Sequence, residues 1–392
     1  MLTRRMTLAL VTVLALASCS GAAKVTPSGV LSPQTPRSGA ALQSSALATP
    51  GRYTITEIGP PAAFENAFAI NEHGNAAGHF DAAPHVPHMP PPVREGFAYI
   101  HGVSTSLPPV GGKRHSTTAA INERDHVVGW SYSVRFALDA HATLWQGAVG
   151  TDLHSQVSFG GDASYASGIN ASGHITGDST TLGEAEDHAW LLRHGAVQDL
   201  GTLGGTVSAG IAINEDDLVV GYAFTKDNAE QHAAMWHGTI RDLGTLGGTA
   251  AQASAVNEDG AIAGSSTLPG DAVQHAFVYR HGHMVDIHPA GFPQNSTASG
   301  MNNRGDIVGN ASPTLDDHFA GNLALLWHRG NAVDLNTQIA DPTWQLFRAA
   351  GINDRGQIVG VGKHNGVVRA FILTPRDNDN DNEVQSQHGR DH

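Results

Sequence analysis

The chain nearly repeats itself: DLGTLGGTVSAGIAINEDDLVVG, beginning at Asp199, returns as DLGTLGGTAAQASAVNEDGAIAG at Asp242. Anchored on one asparagine, the pattern occurs seven times, as AINEHGNAAG (Asn71), AINERDHVVG (Asn122), GINASGHITG (Asn170), AINEDDLVVG (Asn214), AVNEDGAIAG (Asn257), GMNNRGDIVG (Asn302) and GINDRGQIVG (Asn353). Successive asparagines are 51, 48, 44, 43, 45 and 51 residues apart. A period of that size is what one supersecondary unit of four short strands needs, and it constrains the fold before any local reading.

Each shared position has a physical reason. Three residues after the asparagine stands Gly or Asp (Gly74, Asp125, Gly173, Asp217, Gly260, Gly305, Gly356), types that tolerate the left-handed backbone of a tight hairpin turn. The asparagine itself can fold its side chain onto the turn backbone. Seven residues after it glycine is invariant: Gly78, Gly129, Gly177, Gly221, Gly264, Gly309 and Gly360. Glycine inside a strand pattern signals a close backbone approach or a bulge. Two residues before the asparagine only Ala or Gly occurs, so this strand is packed where room is scarce.

The rest of the unit reads as a second hairpin. HAWLLRHGAVQDLG has two apolar stretches joined at His194-Gly195, and HAFVYRHGHMVDIH repeats the design at His281-Gly282. After Leu373 the last copy lacks its fourth strand, while an extra one, YTITEIG, precedes the first copy at Tyr53. Each end completes the other, which would leave no exposed sheet edge. The expected fold is therefore all-β, a seven-bladed β-propeller of four-stranded antiparallel blades whose ring is closed by the N-terminal strand. A β-solenoid is the alternative, with shorter rungs and caps that the sequence does not display.

The HAF-type strands, DLGTLGG linkers and AIN-x-x-G-x-x-x-G hairpins resemble the HAF-repeat family of probable extracellular bacterial proteins, over about Tyr53 to Leu373. His-Ala-Phe itself stands only at His275-Ala276-Phe277, relaxed to His188-Ala189-Trp190 and His232-Ala233-Ala234. The resemblance implies an exported repeat protein and no particular reaction. In plan the repeat is also similar to kelch propellers, with a small-residue strand innermost.

The N-terminus reads as an export signal. MLTRRMT supplies positive charge, LALVTVLALA a short apolar core, and Leu16-Ala17-Ser18-Cys19 resembles the bacterial lipoprotein box, in which the cysteine becomes the lipidated first residue. An ordinary signal peptide with a chance cysteine is the alternative, and Arg4-Arg5 fits twin-arginine export less well. The expected organisation is a lipoprotein signal at 1–18, a flexible Ser/Ala/Pro-rich tether at 19–52, the propeller at 53–375 and a disordered acidic tail at 376–392. Cys19 is the only cysteine, so no intramolecular disulfide is available. A net charge of −14 with no basic stripe argues against nucleic acid as a partner.

Alternating strands place the tight Asn-x-x-Gly and His-Gly turns on one face and the variable loops on the other, where a binding site is expected near the channel mouth. Candidate ligand-binding residues there are Trp130, Tyr132, Lys113, Arg114, His85 and His88. His85 and His88 lie in a Pro-rich loop in which a metal is one reading and a stiff surface loop the other, so no metal or cofactor is assigned. The recurring pairs His141/Asp152, His188/Asp199, His232/Asp242 and His275/Asp286 are read as blade-internal hydrogen bonds, with a different register expected for the pair spaced ten apart. Trp145, Trp236, Tyr279 and Trp327 recur at one strand position and are read as packing. G-x-S-x-G is absent and no catalytic residue is assigned.

These features imply a lipid-anchored, exported, monomeric binding or interaction module of the bacterial cell envelope. Its partner is an unspecified small molecule, glycan or protein, and it meets the membrane only through its anchor, on the periplasmic or surface side of the outer membrane. A carbohydrate- or ester-active enzyme on the variable face and a structural envelope component are the alternatives.

Overall fold

The computed structural model describes residues 51–61, 64–83, 92–133, 139–315, 319 and 321–376. The signal segment, Cys19, the tether, His85, His88 and the tail from residue 377 lie outside the described residues. With units numbered by their asparagines, unit one contributes strands Phe64–Ile70, Ala76–Asp81, Arg94–Ile100 and Val103–Leu107, hydrogen-bonded in that order as an antiparallel sheet. Units two to six build four-stranded antiparallel sheets the same way, and one parallel bridge between Asp187 and Val207 joins units three and four. In unit seven, strands Trp344–Ile352, Ile358–His364 and Val367–Pro375 take the N-terminal strand Tyr53–Ile58 as their fourth member, with Tyr53 opposite Pro375 and Ile58 opposite Ala370.

The repeat asparagine does more than cap its turn. Its Oδ1 accepts the backbone N–H groups of the following turn, as from His73 and Asn75 to Asn71 (3.1 and 3.0 Å). Its Nδ2 donates to the carbonyl oxygen of the next unit's asparagine: Asn71 to Asn122, Asn122 to Asn170, Asn170 to Asn214, Asn214 to Asn257, Asn257 to Asn302 and Asn302 to Asn353, at 2.9 to 3.4 Å. Asn353 in turn donates to Asn71 at 3.0 Å. All seven side chains are buried, so each amide must find such partners. The residue three beyond each asparagine has positive φ, including Asp125 (60°) and Asp217 (61°), as the turn requires.

The invariant glycine explains the aromatic of the third strand. A Cβ on Gly264 would fall on the carbonyl oxygen of Gln252 and within 2.8 Å of Phe277, and the same carbonyl approach recurs at the other six glycines. The bulge that lets the two strands come so close lies two to four residues before every asparagine, as between Ala253 and Ala255. The alanine of the HAF-type strand marks an inter-unit link. A serine six residues before the next asparagine accepts its N–H: Ala142 to Ser164, Ala189 to Ser208 and Ala276 to Ser296, at 2.9 to 3.0 Å.

The apolar core lies between neighbouring sheets. Ala77, Ala98 and Leu107 of unit one pack with Ile121, Val127 and Trp145 of unit two, and Ala189 and Leu191 of unit three with Val219, Ala234 and Trp236 of unit four. The expected packing role of the recurring aromatics holds: Trp145, Trp236, Tyr279 and Trp327 are buried. The indole N–H groups of Trp145 and Trp327 donate to Pro108 and Ile287 of the preceding unit (3.0 and 2.8 Å), satisfying their polar edge inside the core.

Candidate binding site at the channel mouth

The first strands of all seven units line one central cavity of about 700 Å³. Next to the asparagines the wall is apolar and small-residue, from Ile70, Ile169, Ile213 and Met301 one residue before them and from Ala69, Ala120, Gly168, Ala212, Ala255, Gly300 and Gly351 two residues before them. The sequence suggested that these small residues sit where room is scarce; here they also line an open cavity. Towards the variable face the wall becomes polar.

That polar layer arises from two register positions, five residues before and eight after each asparagine, which pair across the first two strands. The pairs are Asn66 with His79, Thr117 with Trp130, Tyr165 with Asp178, Ala209 with Tyr222, Gln252 with Ser265, Thr297 with Asn310, and Arg348 with Val361. Neighbouring units meet here: His79 bonds Thr117 Oγ1 at 3.0 Å, and Trp130 meets Tyr165 edge-on with ring centroids 5.5 Å apart. Around units one to four the layer is aromatic and acidic and stands behind the cavity wall, which none of these side chains lines. Around units five to seven it is amide, hydroxyl and guanidinium. On this latter side Gln252, Ser265, Thr297, Asn310 and Arg348 line the cavity, joined by Gln231, Gln274, Asn295 and Asn322. Arg348 is the one charged side chain among the described residues that line it.

Two details sharpen its chemistry. Asn322 is 2% exposed, lines the cavity, and its Oδ1 accepts no hydrogen bond. Arg348 lies over the ring of Phe68, its Cζ 5.7 Å from the centroid, and Phe68 in turn lies 4.9 Å from the His79 ring. Burial, reinforced by Arg94 and Arg348, holds His79 well below the ordinary imidazole value, so it is neutral at physiological pH.

Unit three carries a second anomaly. Asp178 and Asp187 stand diagonally on one face of the third sheet, since Asp178 is opposite Ala189 and Asp187 opposite Thr180. Asp178 is 3% exposed, and Asp178 Oδ2 and Asp187 Oδ1 accept no hydrogen bond. Burial and then mutual repulsion raise Asp178 well above the usual carboxylate range, and burial with Glu184 pushes Asp187 up to about 7. Neither residue lines the cavity.

The candidates read from sequence fall elsewhere, mostly in unit two. Trp130 is 8% exposed and packed against Tyr165. Tyr132 stacks on His115 with centroids 5.0 Å apart, Lys113 pairs with Asp139 at 3.3 Å, and exposed Arg114 donates its backbone N–H to the Tyr132 carbonyl. The structure gathers these four beside one another but outside the cavity wall. The amide layer was missed, although aligning the units on their asparagines and reading the two variable columns would have exposed it.

The repeated His–Asp pairs are blade-internal hydrogen bonds of 2.6 to 2.9 Å. In unit four, where the spacing is ten, the expected difference in register does not occur: Asp242 stands opposite Ala234, two residues after its histidine, as Asp199 stands opposite Trp190, because a one-residue turn at Gly238 replaces the two-residue turn at His194-Gly195. A second histidine stacks on the first in two units, His154 on His141 and His288 on His275 (4.2 and 4.1 Å), and each bonds the inter-unit serine, Ser164 or Ser296, at 2.9 Å. The serine already accepts a backbone N–H from the neighbouring strand, which makes this a structural brace. Among the described residues no group of three or more His, Cys, Asp or Glu side chains could hold a metal ion, and no helix is long and apolar enough to cross a membrane.

No family model and no curated protein matches the chain. Solved structures do. The β-propeller domain of the Trilobed protease from Pyrococcus furiosus, which has an open velcro topology, matches with a TM-score of 0.50 at 8% identity, over 80% of this chain and 94% of that one. TolB from Acinetobacter baumannii matches at 0.40 and 8%, over 81% and 65%, and a Trypanosoma rangeli sialidase at 0.41 and 9%, over 80% and 54% of the respective chains. The first likeness, with the four-stranded sheets, gives the fold as a β-propeller; the other two carry no argument.

Proposed function

We propose that this protein is a seven-bladed β-propeller, closed by its N-terminal strand, that serves as a ligand-binding module of the bacterial cell envelope. The observation that carries the reading is the cavity of about 700 Å³ on the propeller axis, lined towards one face by amides and hydroxyls, with no carboxylate among the described residues that line it. Such a volume suits a small ligand. Groups that can both donate and accept hydrogen bonds suit polar, uncharged portions of that ligand. Pairing of Tyr53–Ile58 with the last strand and the bond from Asn353 to Asn71 support a closed ring of seven units, in contrast to the open topology of the Pyrococcus domain.

The address follows from the sequence. Export as a lipoprotein anchored through Cys19 and membership among HAF-repeat proteins are proposals resting on the residues already quoted. Labelling cells with an alkyne fatty acid tests the anchor: the wild-type chain takes up label and Cys19→Ala does not. Uptake by the variant would remove the proposed attachment site. For the site, the purified protein is screened against saccharide and peptide panels by thermal shift and by amide chemical shifts. Binding should perturb Gln252, Asn310 and Arg348, whereas perturbations confined to Lys113, Arg114 and Tyr132 would move the site to the unit-two loops.

A further inference from the structure

We propose that His174 and His194, on the tight-turn face of unit three, form a site for a divalent late transition-metal ion such as Zn2+, with Asp217 of unit four as the residue that positions His174. The His174 ring is fixed through Nδ1, which lies 2.7 Å from Asp217 Oδ1. That oxygen also accepts from Asn170 Nδ2 at 3.1 Å, so it is an acceptor and the imidazole proton sits on Nδ1. The lone pair of His174 is therefore on Nε2, which is buried and has no hydrogen-bond partner. A carboxylate on one imidazole nitrogen and an unengaged lone pair on the other is how metal-ligating histidines are held.

The second ligand stands beside the first. The rings of His174 and His194 are perpendicular, at 86°, with centroids 4.7 Å apart. Two imidazoles sharing one ion through bonds of about 2.0–2.1 Å have centroids about 4.5–5 Å apart, so rotation of the exposed His194 side chain completes the pair without moving the backbone. Asp217 is taken up at Nδ1, and water fills the remaining positions on the ion. In other units the side chain four residues beyond the asparagine is bonded to the second hairpin of its own sheet. Asn75 Oδ1 accepts the His101 backbone N–H, His126 Nε2 lies 3.1 Å from Gln146 Nε2, and Asp306 Oδ1 lies 2.6 Å from His328 Nδ1. In unit three the same place holds two imidazoles and a nitrogen without a partner. Imidazole suits zinc, copper and nickel, whereas magnesium and calcium take oxygen ligands.

The test is calorimetric titration of the full mature protein with Zn2+, followed in parallel by two-dimensional NMR of the imidazole nitrogens. The wild type should show a binding event that His174→Gln and His194→Asn each lose, and the resonances of both rings should shift as the ion is added. His194→Asn alters an exposed side chain at a position of positive φ that asparagine tolerates, so its loss of binding is read on a folded protein. Asp217→Asn keeps both ligands and should weaken binding about 10- to 100-fold. His281→Asn, at an exposed hairpin tip of unit five where Ala261 stands four residues beyond the asparagine, should change nothing. Excess Mg2+ should not compete. Absence of Zn2+ binding, binding unchanged in both His174→Gln and His194→Asn, or ring shifts confined to other histidines overturns the site. Loss of binding in those two variants with none in Asp217→Asn overturns the positioning role of the carboxylate.

Discussion

The side-chain Nδ2 of Asn353 donates to the carbonyl oxygen of Asn71 at 3.0 Å, across 282 residues of chain. One residue on in each chain segment, the backbone N–H of Asp354 donates to Glu72 Oε1 at 2.8 Å. The first and last units are thereby joined by the same bonds that join Asn214 to Asn257 and Glu215 to Glu258 in the middle of the array.

That equivalence has a measurable consequence. In a closed ring Asn353→Ala should cost as much stability as Asn214→Ala, about 2–4 kcal/mol each, because both leave buried backbone groups without their partner. In an open array the terminal position would cost little. Chemical denaturation of the two variants decides. Ile58→Ala, removing a buried side chain from the closing strand, should cost about 3 kcal/mol by the same measurement.

Two glycines that look alike in sequence should behave differently. At Gly264 a Cβ collides with backbone and with Phe277, so Gly264→Ala should destabilise by roughly 3 kcal/mol or more. At Gly195 the space is open and only φ, at 77°, opposes a side chain. Gly195→Ala should cost only about 1–2 kcal/mol. Equal losses in thermal midpoint would contradict the assigned close approach.

The Asp178–Asp187 pair sets a pH dependence whose sign is fixed by its geometry. Both carboxyls titrate higher in the folded chain than in the unfolded one, so their protonated forms favour folding. Their contribution is fullest at acid pH and is lost as pH rises from the ordinary carboxylate range through about 7, the value for Asp187. Asp187→Asn should therefore raise the melting temperature at pH 8 by roughly 2–6 °C while changing it little at pH 4. An unchanged or lowered midpoint at pH 8 would mean that the carboxylates are neutralised by a partner.

The histidines of the repeated brace should titrate in a defined order. At His232 burial works against the charged form, but hydrogen bonds to Glu230 and Asp242 outweigh it and hold the imidazole above its ordinary value. Burial and then the neighbouring His275 hold His288 below it. A two-dimensional NMR titration should show His232 protonating first as pH falls, and Asp242→Asn should lower its midpoint. His288 protonating before His232 would refute the assignment. The His232 pair then stabilises below the unfolded imidazole value and loses that contribution as pH rises through the folded one.

Local chemistry within each unit was legible in the sequence. The unit length, the left-handed turn positions, the close-packed glycine and the Trp190–Asp199 register all follow from one chain segment and its backbone sterics. So did the pairing of an orphan N-terminal strand with an incomplete last unit, because an unpaired edge is costly wherever it lies. The tertiary structure decided what depends on the seam between units. The asparagine amide that looked like a turn cap reaches the next unit, the alanine of the HAF-type strand is a donor to the neighbouring serine, and Trp130 is covered by Tyr165 from the next sheet. The cavity wall is of this second kind. Gln252, Thr297 and Arg348 are unremarkable alone, and only the radial arrangement, which brings equivalent positions of separate units around one axis, makes them a common surface.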